Sequence, residues 1–115
     1  MPNELTNIQF QRFTGAGAIA ETLVPGVAFR LLRIEVHWSA APTTSQNITV
    51  TSDAGDGAAY DTLLTSRDPS ADSLTDYVIE YGIGYEFEPD DGIDLAYTNT
   101  DARTISGRFV YELPK

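Results

Sequence analysis

The sequence predicts an all-β chain, an antiparallel β-sandwich of about eight strands in one domain spanning residues 1–115. Three observations carry this. Apolar and polar side chains alternate in short runs, the period of a half-buried strand. Gly, Pro, Asp and Ser clusters punctuate the runs at short spacing, as in sandwiches and small barrels. No stretch sustains an apolar stripe at helical period over three turns. An immunoglobulin-like sandwich fits the same spacing, but the chain has no cysteine and lacks that fold's Cys-Trp-Cys mark.

The elements follow in order. LTNIQFQRF (5–13) sets Ile8 and Phe10 on one face and leaves Phe13 out of phase, the mark of a bulge or a strand end. AIAETLV (18–24) aligns Ile19, Glu21 and Leu23 before the Pro25-Gly26 turn. VAFRLLRIEVHWS (27–39) aligns Ala28, Arg30, Leu32, Ile34, Val36 and Trp38 opposite Phe29, Leu31, Arg33, Glu35 and His37. From Phe29 to Leu32 both faces are apolar, which predicts cover from both sides, one of them by another subunit. QNITVTS (46–52) alternates through Ile48 and Val50, and YDTLLTS and DYVIEYG continue the series. YEFE (85–88) reads as a short separate strand or edge ahead of the Pro89-Asp90-Asp91-Gly92 turn. GIDLAYT aligns Ile93, Leu95 and Tyr97, and RTISGRFVYEL aligns Ile105, Phe109, Tyr111 and Leu113 with Gly107 between them. SDAGDGAAYD and SRDPSADSLTD are loops, either of which can hold one helical turn. The predicted core draws on Leu32, Ile34, Val36, Trp38, Ile48, Val50, Leu95, Tyr97, Phe109 and Tyr111.

The knot TNTDAR (98–103) is predicted as a hairpin connection. Asn99 and Asp101 are expected to bond the backbone of their own turn, with Arg103 paired to Asp101 or Asp94.

Charge narrows the function. Acidic residues number 17 against 7 basic ones, a formal net charge of -10. The single lysine is Lys115, so no basic groove for DNA or RNA is expected. No apolar run approaches the ~20 residues that cross a bilayer, and MPNELTNIQF lacks the basic and apolar blocks of a secretion signal. Absence of cysteine removes disulfides and thiolate metal sites, and one histidine, His37, cannot supply a zinc set. No Gly-x-Ser-x-Gly elbow or phosphate loop occurs; Gly15 and Gly17 in GAGAIAE read as turn residues. No cofactor is expected.

The acid-rich run Glu86, Glu88, Asp90, Asp91 and Asp94 offers calcium candidates in Asp90, Asp91 and Asp94, although its spacing is not that of the helix-flanked calcium loop. The plainer reading is a solvated strand face followed by a Pro-Asp-Asp-Gly turn. Trp38, Tyr77, Tyr81 and Tyr85, with Phe29 and Leu31, are the interface candidates, and the first four could equally form a platform for a sugar.

Two segments, NITVTSDAGDGAAYDTLLTSRD and PDDGIDLAYTNTDARTISGRFVYEL, resemble small all-β virion proteins of tailed bacteriophages. The likeness rests on Ala58 to Asp61 closing a Gly/Ala-rich loop, and on Tyr97 to Thr104 in the hairpin; it covers residues 47–113. It implies a jelly-roll type sandwich that cements or decorates a capsid, localised to a virion assembled in the host cytoplasm. The implied partners are the major capsid or another virion protein and further copies of itself, with neither nucleic acid nor membrane bound and no enzymatic role. The alternative is a glycan- or fibre-binding sandwich on the virion, calcium-assisted through the acidic loop.

Overall fold

A computed structural model describes residues 7–114, and the side chains of residues 82–85 fall outside that description. Eight strands form: β1 (Ile8–Gly15), β2 (Ile19–Leu23), β3 (Phe29–Trp38), β4 (Ile48–Asp53), β5 (Thr62–Arg67), β6 (Asp76–Phe87), β7 (Gly92–Tyr97) and β8 (Ile105–Glu112). A single 3-10 turn, Ala58–Tyr60, lies in the loop after β4. The strands build two antiparallel four-stranded sheets, ordered β1-β8-β3-β6 and β2-β7-β4-β5. DYVIEYG and YEFE, read as two strands from sequence, are one strand, β6.

The apolar inner faces of the sheets meet in a sandwich. One sheet supplies Phe13, Phe29, Leu31, Ile34, Val36, Trp38, Ile79, Phe87, Ile105 and Phe109; the other supplies Ile19, Leu23, Ile48, Val50, Ile93, Leu95 and Tyr97. Aromatic contacts bind the layers laterally and across. Phe29 stacks on Phe87 at 4.9 Å, Phe13 tilts onto Phe109 at 5.7 Å, and Trp38 meets Tyr97 edge-on at 5.9 Å. Such pairs are each worth roughly 0.5–1.5 kcal/mol beyond area burial.

Two departures from strict alternation have physical causes. The register of β3 shifts between Leu31 and Arg33 against both of its neighbours. That bulge inserts one residue, so the core face reads Phe29, Leu31, Ile34, Val36, Trp38, and Leu32 is half-buried instead of central. The doubly apolar start of β3 is therefore a phase change within one chain's core and needs no subunit to cover it. In β1 the ladder to β8 runs unbroken from Ile8 to Gly15, so Phe13 marks neither a bulge nor an end. Phe13 is the inward residue, and Phe10 points outward with 48% of its surface exposed.

Tyr111 is half-buried against the core, while Val110 is fully buried on the outer face of the same sheet. Gly107 permits the close approach of β3: a Cβ there would lie 2.1 Å from the Glu35 carbonyl oxygen and 2.6 Å from the Phe13 ring.

Candidate functional site

The β7–β8 turn is a clasp. Asn99 takes a left-handed backbone conformation (φ 57°), which asparagine tolerates better than most residues, and it is almost fully buried. Its Nδ2 donates to the carbonyls of Arg103 and Gly17, both at 2.9 Å, and its Oδ1 accepts from the Arg103 N–H at 3.1 Å. Asn99 thus closes its own turn, as expected, and fastens the β1–β2 connection as well.

Asp101 and Arg103 act elsewhere than their spacing suggests. Asp101 Oδ2 accepts the N–H groups of Thr43 and Thr44 at 2.7 and 2.9 Å, and Oδ1 accepts the Thr44 hydroxyl at 2.6 Å. The Thr44 hydroxyl, followed by the backbone donors of Thr44 and Thr43, holds the carboxyl down to about 2. Arg103 makes no ion pair among the described residues; its Nε and Nη2 donate to the Ala41 carbonyl at 3.3 and 3.2 Å. Thr100 donates its N–H to Gln46 Oε1 at 3.1 Å. The turn therefore anchors the long β3–β4 loop, residues 39–47, instead of satisfying only itself.

The acidic run at the other pole is likewise structural. Asp91 accepts from the N–H of Glu88 at 2.9 Å and of Gly55 at 3.0 Å, joining its turn to the glycine loop. Asp61 accepts the Ala54 N–H at 2.9 Å, and Asp94 accepts the Thr22 hydroxyl at 3.0 Å. Asp90 is exposed and pressed against Gly55, where a Cβ would come within 2.5 Å of its own. Asp94 foremost, then burial, Asp61 and Asp91 push the Asp53 carboxyl up, the expected result of crowding like charges. Among the described residues no three Asp, Glu or His side chains converge to hold a metal ion.

The interface candidates divide. Phe29, Leu31 and Trp38 lie inside the chain's own core, at 4%, 0% and 0% exposure, and present nothing to a partner. The bulge accounts for Phe29 and Leu31, and the Tyr97 contact for Trp38. Tyr77 and Tyr81 are half-buried at the β6 edge: the Arg67 guanidinium covers the Tyr77 ring at 5.3 Å, and the Tyr81 hydroxyl bonds Thr65 at 2.9 Å. The side chain of Tyr85 lies outside the described residues. Trp38, buried in the core, therefore shares no surface platform with Tyr77 and Tyr81.

Most of the cationic residues gather on the outer face of the β1-β8-β3-β6 sheet, which sequence reasoning did not single out. Register places three rows across its four strands: Thr14, Ser106, His37, Asp76; then Arg12, Arg108, Glu35, Val78; then Phe10, Val110, Arg33, Glu80. Glu35 is its centre. It accepts from Arg108 Nε at 2.8 Å and Arg33 Nε at 2.7 Å, and these two guanidiniums, Arg108 first, lower its pKa. Arg108 also lies over the Phe10 ring at 4.4 Å. Only the cross-strand register reveals this set, because its members are scattered from residue 10 to residue 110.

The first row aligns a serine, a histidine and an aspartate, with His37 Nδ1 2.6 Å from Asp76 Oδ1. That is two of the three members of a nucleophilic triad. Ser106 makes no hydrogen bond to His37 among the described residues, and backbone N–H groups along β3 and β8 are committed to interstrand ladders instead of pointing at a reacting oxygen.

No protein-family model and no curated protein matches this chain.

Proposed function

We propose that this chain is a structural protein of a bacteriophage particle, a capsid cement or decoration protein that works through its surfaces. The observation that carries the reading is strand order. β1 pairs with β8, β2 with β7, β3 with β6 and β4 with β5, each antiparallel. Such pairing is what one long hairpin folded over on itself would give, and it supports reading the sandwich as a jelly roll of two interlocked Greek keys, an architecture common in viral shells. Fold alone does not assign function, so the reading also rests on the likeness of residues 47–113 to phage virion proteins.

The distribution of side-chain roles agrees with it. Asp101, Asp91 and Asn99 hold loops, and Glu35 ties strands together, so these polar groups are engaged in architecture. The partners are then the major capsid or another virion protein and further copies of the chain, in a virion assembled in the host cytoplasm. The glycan-binding alternative loses support from the burial of Trp38 and the separate engagements of Tyr77 and Tyr81.

The test is to image purified particles of the phage that encodes the chain, and to heat particles with and without it. Density for the sandwich on the shell, together with loss of heat resistance on deletion, is the expected outcome. Particles that lack the protein, or that survive heating equally well without it, would overturn the reading.

A further inference from the structure

We propose that the outer face of the β1-β8-β3-β6 sheet docks a second copy of this chain. Charge is the first argument. Arg12, Arg30, Arg33 and Arg108, four of the six arginines, point outward here, against Glu35, Asp76, Glu80, Glu86 and Glu112. Glu21 of β2 also lines the groove on this face, so four cations stand against six anions and leave it at −2, far closer to balance than the rest of a chain of net charge -10. Two copies repel one another through the rest of their surfaces and least through this one. Arg12 is exposed and makes no hydrogen bond or ion pair among the described residues. It also stands directly opposite Arg108 in the β1–β8 ladder, an unfavourable like-charge neighbour that an incoming group can relieve.

Relief is the second argument. The row Phe10, Val110, Arg33, Glu80 is filled: Val110 is 1% exposed although it faces outward, and Phe10 lies beneath the Arg108 guanidinium. The next two rows line an open groove of about 820 Å³, bordered by Arg12, Arg108, Glu35, His37, Asp76 and Val78. A two-fold axis crossing the strands between filled row and groove sets each copy's ridge into the other's hollow. Row then meets row as follows: Phe10 over Arg12, Val110 over Arg108, Arg33 over Glu35, and Glu80 over Val78. No like charges face each other in these rows, and each contact occurs twice, as an isologous interface requires. Phe10 has one ring face on its own Arg108 and offers the other to Arg12 of the second copy.

Size is the third. Four strands ~4.8 Å apart and ~8 residues long present roughly 500 Å² per copy, about 1,000 Å² for the pair. That sits at the lower limit of a specific interface and implies a reversible, concentration-dependent dimer. The particle reading already counts further copies of the chain among its partners, and this inference names the face they use; it is tested in solution, so its failure is distinct from a failure of the particle reading.

Sedimentation equilibrium of the whole chain from about 1 µM to about 1 mM, near 0.15 M ionic strength, tests it. Wild type is expected to pass from monomer to dimer, with Phe10→Ser and Arg12→Glu each weakening the dimer by at least about tenfold. Both positions are exposed, and a thermal melt of each variant shows whether it remains folded. Leu63→Ser, an exposed change on the opposite sheet, should leave the dimer unaltered. A wild type that stays monomeric throughout overturns the proposal. So does a dimer indifferent to Phe10→Ser and Arg12→Glu, or one that Leu63→Ser abolishes.

Discussion

A single half-buried carboxylate, that of Asp101, accepts four hydrogen bonds from two consecutive threonines and so fixes a loop it does not belong to. Its pKa is depressed from 3.8 to about 2 in the folded chain. The stability it contributes is therefore complete above the unfolded value and disappears as pH falls through the folded one. We expect Asp101→Ala to lower Tm by several degrees near neutral pH, and the gap from wild type to close as pH is taken from about 4 down to about 2. A gap that stays constant over that range would show that the threonines do not depend on the charged form. Trp38 gives a second test. Its indole is fully buried and its N–H has no acceptor among the described residues. Trp38→Ala should cost about 3–5 kcal/mol in urea unfolding, whereas Trp38→Phe removes the unsatisfied donor along with some volume and should cost much less. What was legible at this scale was local. Asn99 could be read from the sequence because its turn lies within four residues of it. Asp101 could not, because Thr44 is 57 positions away and no local pattern points to it.

Strand identity was legible from alternation, and strand phase was not always so. Ile48, Val50, Ile93, Leu95 and Tyr97 fall on the core face where a period of two puts them. β3 does not keep one phase, because its bulge moves the inward set from Leu31 to Ile34. Read as a continuous ladder, the strand assigns Leu32 to the core and Leu31 outside it, the reverse of the structure. The two leucines therefore discriminate sharply: Leu31→Ala should cost about 2–5 kcal/mol and Leu32→Ala well under half of that, measured by denaturant midpoint with an unchanged m-value. Equal costs would argue against the bulge. Gly107 was legible as an interruption, though not as a contact. An added methyl there meets backbone, the Glu35 carbonyl oxygen, which cannot turn aside as a side chain could. Gly107→Ala should destabilise by about 1–3 kcal/mol and slow assembly of the central β3–β8 pair. The arginine-bearing outer face escaped sequence reading altogether, since β1 and β8 lie at opposite ends of the chain and periodicity carries no information on which strands are neighbours.

At the scale of the molecule, β8 lies between β1 and β3, so that sheet cannot close until β8, the strand furthest along the sequence, is in place. Pairing is dominated by partners distant in sequence, and refolding should take on the order of milliseconds to seconds, as stopped-flow tryptophan fluorescence would show. A chain cut before Ile105 should give no cooperative thermal transition, because it leaves β1 unpaired and exposes Phe13, Ile34 and Val36. The same nesting has a mechanical side. Ile8 stands opposite Glu112, and the Leu113 N–H bonds the Asn7 carbonyl, so residues 7 and 113 sit side by side at one end of the β1–β8 ladder. Tension applied through these two ends does not shear the ladder with all its hydrogen bonds loaded together. It opens them one after another from the Ile8–Glu112 rung inward, like a zip. The sandwich should therefore yield at low force when pulled by its ends, and resist much more when the same load is applied across its sheets.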